Sequence, residues 1–331
     1  MRCAGFALLA AVAATGIVAC GDDGPTTLKL VAYDSFPTEG TPLNDALTEF
    51  TKDTGIEVQV VIAGDAGTMV TKAGLTAGNP EGDVMWGVDN TLLSAATGAK
   101  VFDGDPVEVD YGDVCVNYDI AWFADHSLEP PATLDDLVKP EYANLLVVED
   151  PSTSSPGLAF LLATIAHSGD DGWHDWWTRL RDNGVEVVDS WSTAYYERFS
   201  GSAGSQGDRP LVVSYGSSPP AEVVFADPPR DDAPTGVAAE TCFRQIEYTG
   251  VLRGTPHTAE ARQLVEFLVG ERFQRELPLT LFVYPVNDSV ELPEVFTKFA
   301  VIPDEPFTME PDRIDRNRRQ WQDEWSEIVT G

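Results

Sequence analysis

Apolar and polar positions recur with a period that changes along the chain, and each change marks an element. Leu28-Lys29-Leu30-Val31-Ala32-Tyr33 reads as a strand. Thr41-Pro42 then opens a helix with Leu43, Ala46, Leu47 and Phe50 on one face, and Gly55 ends it. Ile56 to Ala63 predicts a second strand, Thr68 to Ala77 a helix, and Asp83 to Val88 a third strand. This β-α-β-α-β order is the pattern of a mainly parallel sheet covered by helices on both faces. Ligands of such sheets sit beyond the carboxyl ends of the strands, which here carry Tyr33-Asp34-Ser35, Gly64-Asp65-Ala66-Gly67 and Asp89-Asn90.

A second series follows. Asp113 to Tyr118 is strand-like, and Thr133 caps a short helix over Leu134 to Val138. The strand Leu145 to Val148 leads into Glu149-Asp150-Pro151-Ser152-Thr153-Ser154-Ser155-Pro156-Gly157 and a helix running on to His167. Ser154 and Ser155 with Pro156 behind them mark that helix start, whose free N–H groups and hydroxyls suit an anionic or hydroxyl-bearing ligand group. Asp170 to Asp182 predicts a helix in which Trp173, Trp176 and Trp177 fall at core spacing. Val185 to Val188 delivers Ser190-Trp191-Ser192, and Leu211 to Ser214 delivers Tyr215-Gly216-Ser217-Ser218-Pro219. Cys242 to Val251 is a returning strand, Ala259 to Glu276 a helix, and Asp312 to Val329 a helix with Ile314, Trp321, Trp325 and Ile328 on one stripe. Two αβ units joined by two extended crossing segments describe two lobes, a hinge and a cleft in which the strand ends converge.

Composition narrows the function. With 331 residues, 21 Lys and Arg against 54 Asp and Glu, and a net charge of −33, the chain has length for two cores and none of the basic footprint of nucleic-acid binding. The acidity suits cationic ligands. Arg2 followed by the apolar run Ala4 to Ala19 reads as an export leader too short to span a bilayer. Its end, Ile17-Val18-Ala19-Cys20, is similar to the bacterial lipobox, which implies cleavage before Cys20, acylation of its thiol and anchoring at the outer face of the cell membrane. The expected segments are a leader over 1–19 and a tether over 20–27, then lobe 1 from 28–113 and 247–285 and lobe 2 from 114–246 and 286–331. Cys115 and Cys242 are the thiols left beyond the leader and the acylated Cys20, either two independent buried thiols or a pair, in a compartment that oxidises thiols. Two cysteines and four scattered histidines do not make a metal site.

Five segments, in order, carry a family resemblance: Tyr33-Asp34-Ser35-Phe36, Asp150 to Leu158, Trp191-Ser192-Thr193-Ala194-Tyr195, Ser214 to Pro219, and Tyr284-Pro285-Val286. Together they resemble the thiamine-binding proteins of bacterial ABC importers over nearly all of residues 28–329. The resemblance implies an α/β, two-lobed, periplasmic-binding-protein-like type II fold, each lobe a mainly parallel sheet flanked by helices, with two hinge crossover strands. It implies a non-enzymatic, monomeric carrier, with no cofactor or metal of its own, that closes on thiamine or its phosphate esters and delivers it to a permease with an ATPase. The family's ligand contacts fall on Tyr33, Asp65, Ala66, Ser154, Ser155, Trp191, Tyr215, Gly216, Ser217, Ser218, Pro219 and Phe282. Ala66 stands where the family has Gly, Gly216 and Ser217 stand for two threonines, and Phe282 stands for a Trp. In the family's topology the two crossing strands run side by side, which brings Cys115 and Cys242 together as a disulfide.

The residue types suit that ligand. A thiazolium is permanently cationic and is held by aromatic faces such as Trp191 and Tyr215 through attraction of about 1 to 2 kcal/mol when desolvated. Asp65 offers an acceptor for the pyrimidine amine, and Ser154, Ser155, Ser217 and Ser218 meet the hydroxyethyl arm or its phosphate. Plainer roles are open to some of them: Asp65 as a helix cap, Tyr215 and Phe282 as core aromatics. Tyr195-Tyr196 is similar to the adjacent tyrosines of ferric-ion-binding proteins of the same fold, which gives a rival reading. A lipid-anchored hydrolase using Ser154 or Ser217 is a more distant one, since no Gly-x-Ser-x-Gly elbow is present.

Overall fold

The computed structural model describes residues 25–330. The leader, the lipobox and Cys20 lie outside the described residues. The chain runs β1 (Thr27–Ala32), α1 (Pro42–Thr54), β2 (Glu57–Ile62), α2 (Ala66–Leu75), β3 (Val84–Asp89), α3 (Leu93–Gly98), β4 (Val107–Asp119) and α4 (Ile120–His126). It continues through β5 (Leu146–Glu149), α5 (Ser155–Asp182), β6 (Glu186–Val188), β7 (Leu211–Tyr215), α6 (Pro219–Val224) and β8 (Thr235–Val251). The last elements are α7 (Thr258–Leu268), α8 (Glu271–Gln274), α9 (Leu277–Thr280), β9 (Tyr284–Pro285), α10 (Glu294–Phe299) and α11 (Pro311–Thr330).

The opening helix shows how local chemistry sets the elements. Pro42 supplies a fixed φ at the first turn, and Asn44 Oδ1 accepts from the Thr41 N–H at 3.0 Å and its hydroxyl at 2.7 Å. Gly55 closes it in the left-handed region at φ 75° with its N–H on Thr51 O. β3 is buried at all six positions, as a strand covered on both faces must be.

All strands join one sheet in the order β2-β1-β3-β8-β4-β7-β5-β6, with β9 on β4. β2-β1-β3 are parallel at one end and β7-β5-β6 at the other. Between them β8 runs antiparallel to both β3 and β4, and β4 antiparallel to β7. β4 and β8, 13 and 17 residues long, cross from one parallel set to the other, so the fold is two lobes on two crossover strands. One core lies under α2, α3, α5 and α11 and includes Met69, Phe160, Trp177 and Trp325; a second lies under α1 and α7 around Phe50, Trp86 and Phe273. Both carry apolar side chains fully removed from water, each contributing about 1.5 to 3 kcal/mol.

The crossing is stapled. The β4–β8 ladder is irregular between Val114 and Val116, and there a disulfide joins Cys115 to Cys242 with a Cα separation of 4.1 Å. Beside it, Arg244 and Asp113 face each other across the ladder, with Nε on Oδ1 at 2.6 Å.

Three local expectations change. β4 and β8 extend well beyond Asp113–Tyr118 and Cys242–Val251, because Glu108, Asp110 and Glu240 interrupt the apolar alternation without interrupting the ladder. The single helix over Ala259 to Glu276 is broken at Gly270, whose backbone is extended (φ −76°, ψ 152°) and starts α8. The two helices expected up to His167 and from Asp170 are present as the two arms of α5, which meet at Gly169, at φ 74°. Leu134 to Val138 forms turns: Thr133 and Asp136 make the reciprocal bonds of a helix start, with the Asp136 carboxylate on the Ala132 and Thr133 N–H groups at 2.9 Å each, but Pro140 follows too soon for a helix to continue.

Candidate functional site

The carboxyl ends of β1, β2, β5, β6 and β7 open onto a cavity of about 220 Å³. Eight of the twelve expected ligand residues line it: Tyr33, Asp65, Ala66, Ser155, Trp191, Tyr215, Ser218 and Phe282. None of its lining side chains is Lys, Arg or His.

Its aromatic wall is held in place from behind. The Trp191 indole stacks on Tyr195 at 5.0 Å and 17°, and its Nε1–H donates to Ser214 Oγ at 2.9 Å. Ser214 in turn bonds Ser218 Oγ at 2.8 Å, which also accepts from the Tyr215 N–H at 3.2 Å. Tyr33 and Tyr215 lie against glycines of the neighbouring strands: a Cβ on Gly87 would stand 2.3 Å from the Tyr33 ring, and one on Gly112 would stand 3.2 Å from the Tyr215 ring. Gly87 also has φ 91°, so neither the space nor the backbone there admits a side chain.

Part of the lining is acidic. Asp34, Asp65 and Glu247 form it, and Asp89, Asp110 and Glu149 lie buried behind. Burial and Asp34 push the Asp65 carboxyl up to about 7, against the pull of the Ser155, Ala66 and Gly67 N–H groups at the starts of α5 and α2. Those two helix starts nearly touch: a Cβ on Gly67 would meet Thr153 O at 3.0 Å. Gln245 ties the region together, donating to Asp89 and to Ser155 Oγ, the latter at 3.0 Å.

The other four expected residues stand behind the wall. Ser217 is fully buried and donates to Phe282 O at 2.5 Å. Gly216 lets the chain pass Val301, where a Cβ would come within 2.4 Å of the Val301 carbonyl oxygen. Pro219 is buried in the first turn of α6, and Ser154 is the buried N-cap of α5, its Oγ without a hydrogen-bond partner. Phe282 reaches the cavity through a backbone at φ 56°, packed between Phe225 and Phe296.

Sequence reading missed Glu247, Phe225, Tyr195 and Tyr196 as lining residues, the last two having been weighed only as iron ligands. A signal existed for Glu247: Phe243, Gln245, Glu247, Thr249 and Val251 share one face of β8, and that face is buried at every position. The Tyr195 hydroxyl donates to Glu222 at 2.9 Å and its ring is edge-on to Tyr196. Among the described residues no three of His, Cys, Asp and Glu are placed together for a metal ion. None of the four histidines lines the cavity; His167 faces Asp135 and His174 faces Glu324.

The chain is similar to known proteins over most of its length. The thiamine-binding periplasmic protein of Salmonella typhimurium is 29% identical over 316 residues, covering 92% of this chain and 93% of that protein. That of Brucella suis is 28% identical over 313 residues, covering 90% and 91%. A solved periplasmic thiamin binding protein superposes with a TM-score of 0.81 at 27% identity over 93% of this chain and 98% of its own. A ferric binding protein from Campylobacter jejuni shares the fold, with a TM-score of 0.68 at 13% identity over 91% and 99%. The family model for bacterial extracellular solute-binding proteins matches residues 85–303, and the chain belongs to that family.

Proposed function

We propose that the protein is an extracytoplasmic carrier that captures thiamine between its lobes and hands it to an ABC importer. The observation that carries this reading is the cavity lining: three aromatic side chains, Tyr33, Trp191 and Tyr215, together with carboxyl groups, and no cationic side chain. Such a lining favours a flat, permanently positive ligand by cation–π attraction of about 1 to 2 kcal/mol per desolvated face, together with Coulomb attraction that the low dielectric strengthens. The full-length similarity to thiamine-binding periplasmic proteins supports the same ligand.

In this reading Trp191 and Tyr215 hold the thiazolium, Asp65 accepts from the pyrimidine amine, and Ser155 and Ser218 meet the hydroxyethyl arm. Tyr33, Ala66 and Phe282 complete the contact surface, while Ser154, Gly216, Ser217 and Pro219 shape it from behind. Thiamine is carried unchanged, with no cofactor. Cys20 bears the lipid that tethers a monomer to the membrane, and residues 28–113 with 247–285 and 114–246 with 286–331 rotate about β4 and β8 as the two lobes. The hydrogen bond from Tyr195 to Glu222 favours thiamine over iron, since an iron-binding tyrosine must lose its hydroxyl proton so that the phenolate oxygen can bind the metal. Thermal-shift titration with thiamine, its monophosphate, its diphosphate and ferric citrate tests the reading: thiamine raises the melting temperature and ferric citrate does not. A shift with ferric citrate alone would defeat it.

A further inference from the structure

Two buried carboxyl groups under the cavity carry oxygens with no donor, and the Tyr33 hydroxyl is the one donor beside Glu247. Asp110 on β4 and Glu247 on β8 are register partners, 1% and 7% exposed. Both oxygens of Asp110 and Oε2 of Glu247 are buried without a hydrogen-bond partner, and Glu247 lines the cavity. Their neighbour Asp89, register partner of Glu247 on β3, contrasts with them. It accepts from the Thr91 N–H at 3.0 Å, the Thr91 hydroxyl at 2.7 Å, the Leu92 N–H at 3.0 Å and Gln245. Two facing carboxylates so short of donors repel each other, and in a dry site the pair keeps a proton between them. Burial first, and in Glu247 also the nearby Asp110 and Asp89, push both groups up.

The other groups around Glu247 supply no compensating charge. Tyr33 faces it from the end of β1 and Tyr215 from the end of β7, both held neutral by burial, with Asp65 and Glu149 beyond Tyr215. On β8 itself Arg244 is committed to Asp113. From α11 only Arg318 approaches, toward Asp89, with its Nε unpartnered.

We propose that Glu247, backed by Asp110, is the residue that makes this cavity select a cation, the ligand's fixed positive charge taking the place of the proton that the carboxyl pair holds when no ligand is bound. The inference rests on the thiamine reading above and deepens it. On binding, the shared proton leaves to solvent, Glu247 becomes a carboxylate against the ligand, and the charge of the site is conserved. Affinity for thiamine therefore rises with pH, and a neutral isostere gains neither the attraction nor the proton release.

Calorimetric titration in two buffers of different ionisation enthalpy at pH 7 tests this with thiamine and its neutral thiophene isostere. The wild type binds thiamine about tenfold or more tighter than the isostere and releases more protons with thiamine than with the isostere, since any share from Asp65 is common to both ligands. Glu247→Gln, which keeps size and hydrogen-bonding capacity, narrows that ratio to within a few-fold and removes the difference in proton release between the two ligands. Asp110→Asn, which leaves the cavity lining intact, keeps the selectivity, tightens thiamine binding and also removes that difference. Melting curves establish that each variant is folded, and either variant suffices if the other is not. Equal affinity of the wild type for both ligands, or an E247Q ratio and proton release like those of the wild type, overturns the inference and leaves the thiamine reading standing. Absence of thiamine binding by the wild type overturns both.

Discussion

The two walls of the cavity are built on opposite principles. On the aromatic side the polar atoms behind the Trp191 ring are paired within the protein: the Trp191 indole N–H is bonded to Ser214, Ser214 to Ser218, and Tyr195 to Glu222. On the acidic side Asp110, Glu149 and Glu247 carry oxygens with no donor at all. A satisfied wall is rigid and offers its ring faces to a ligand without losing conformational freedom on binding. An unsatisfied wall stores an electrostatic penalty that a cation relieves, so the first supplies shape and the second supplies charge preference.

Both walls hang from β4 and β8, and the largest expected effect comes from cutting the staple between those strands. Cys115→Ser with Cys242→Ser frees a loop of 127 residues and lowers stability, by at most about 5 kcal/mol in the chain-entropy account. Denaturant unfolding of oxidised, reduced and double-mutant protein measures it. Reduction leaves the double mutant unchanged.

Removing the aromatic wall comes next. Trp191→Ala weakens thiamine binding by about 1 to 3 kcal/mol while the variant stays folded, because the half-buried ring lines the cleft and packs only at the edge of a small core cluster. Unfolding of this variant would place Trp191 among the packing residues.

The acidic wall is addressed through pH. Asp65 ionises at about 7 in the folded chain and in the ordinary aspartate range when unfolded. The unfolded chain thus sheds this proton first as pH rises, so the group stabilises the ligand-free fold below the ordinary range, and that stability is lost up to about pH 7. Thiamine affinity moves the other way, rising by up to about tenfold from pH 5.5 to 8 as Asp65 ionises. Asp65→Asn flattens its share of both slopes in melting and binding profiles.

The smallest effect separates a ring from its support. Ser214→Ala leaves the Trp191 N–H without its acceptor and weakens binding by about 0.5 to 1.5 kcal/mol, read by fluorescence titration.

What the sequence made legible follows the same division. The aromatic wall could be read because Trp191 and Tyr215 follow or end short apolar strands, at the carboxyl ends where ligands of such sheets sit. The Ser154, Ser155 and Pro156 helix start was equally plain. Which hydroxyls face inward was not, since Ser217 and Ser218 are adjacent and the direction of a turn decides between them. The acidic side was obscured because a glutamate in an alternating strand reads as solvent-facing, whereas β8 is a central strand between β3 and β4 and the face that carries Glu247 is buried. The length of β4 and β8 was hidden for the same reason. Their charged residues look like strand ends until the partner strand is known.

The central claim is that this cavity holds thiamine against Trp191. Titration of purified protein with thiamine, followed by calorimetry and by tryptophan fluorescence in wild type and Trp191→Phe, tests it most directly. The account predicts one saturable site per chain, with a fluorescence change that largely disappears in the variant while binding persists at reduced affinity. A folded wild type that gives no saturable heat with thiamine, or a fluorescence change that survives intact without the Trp191 indole, would contradict it.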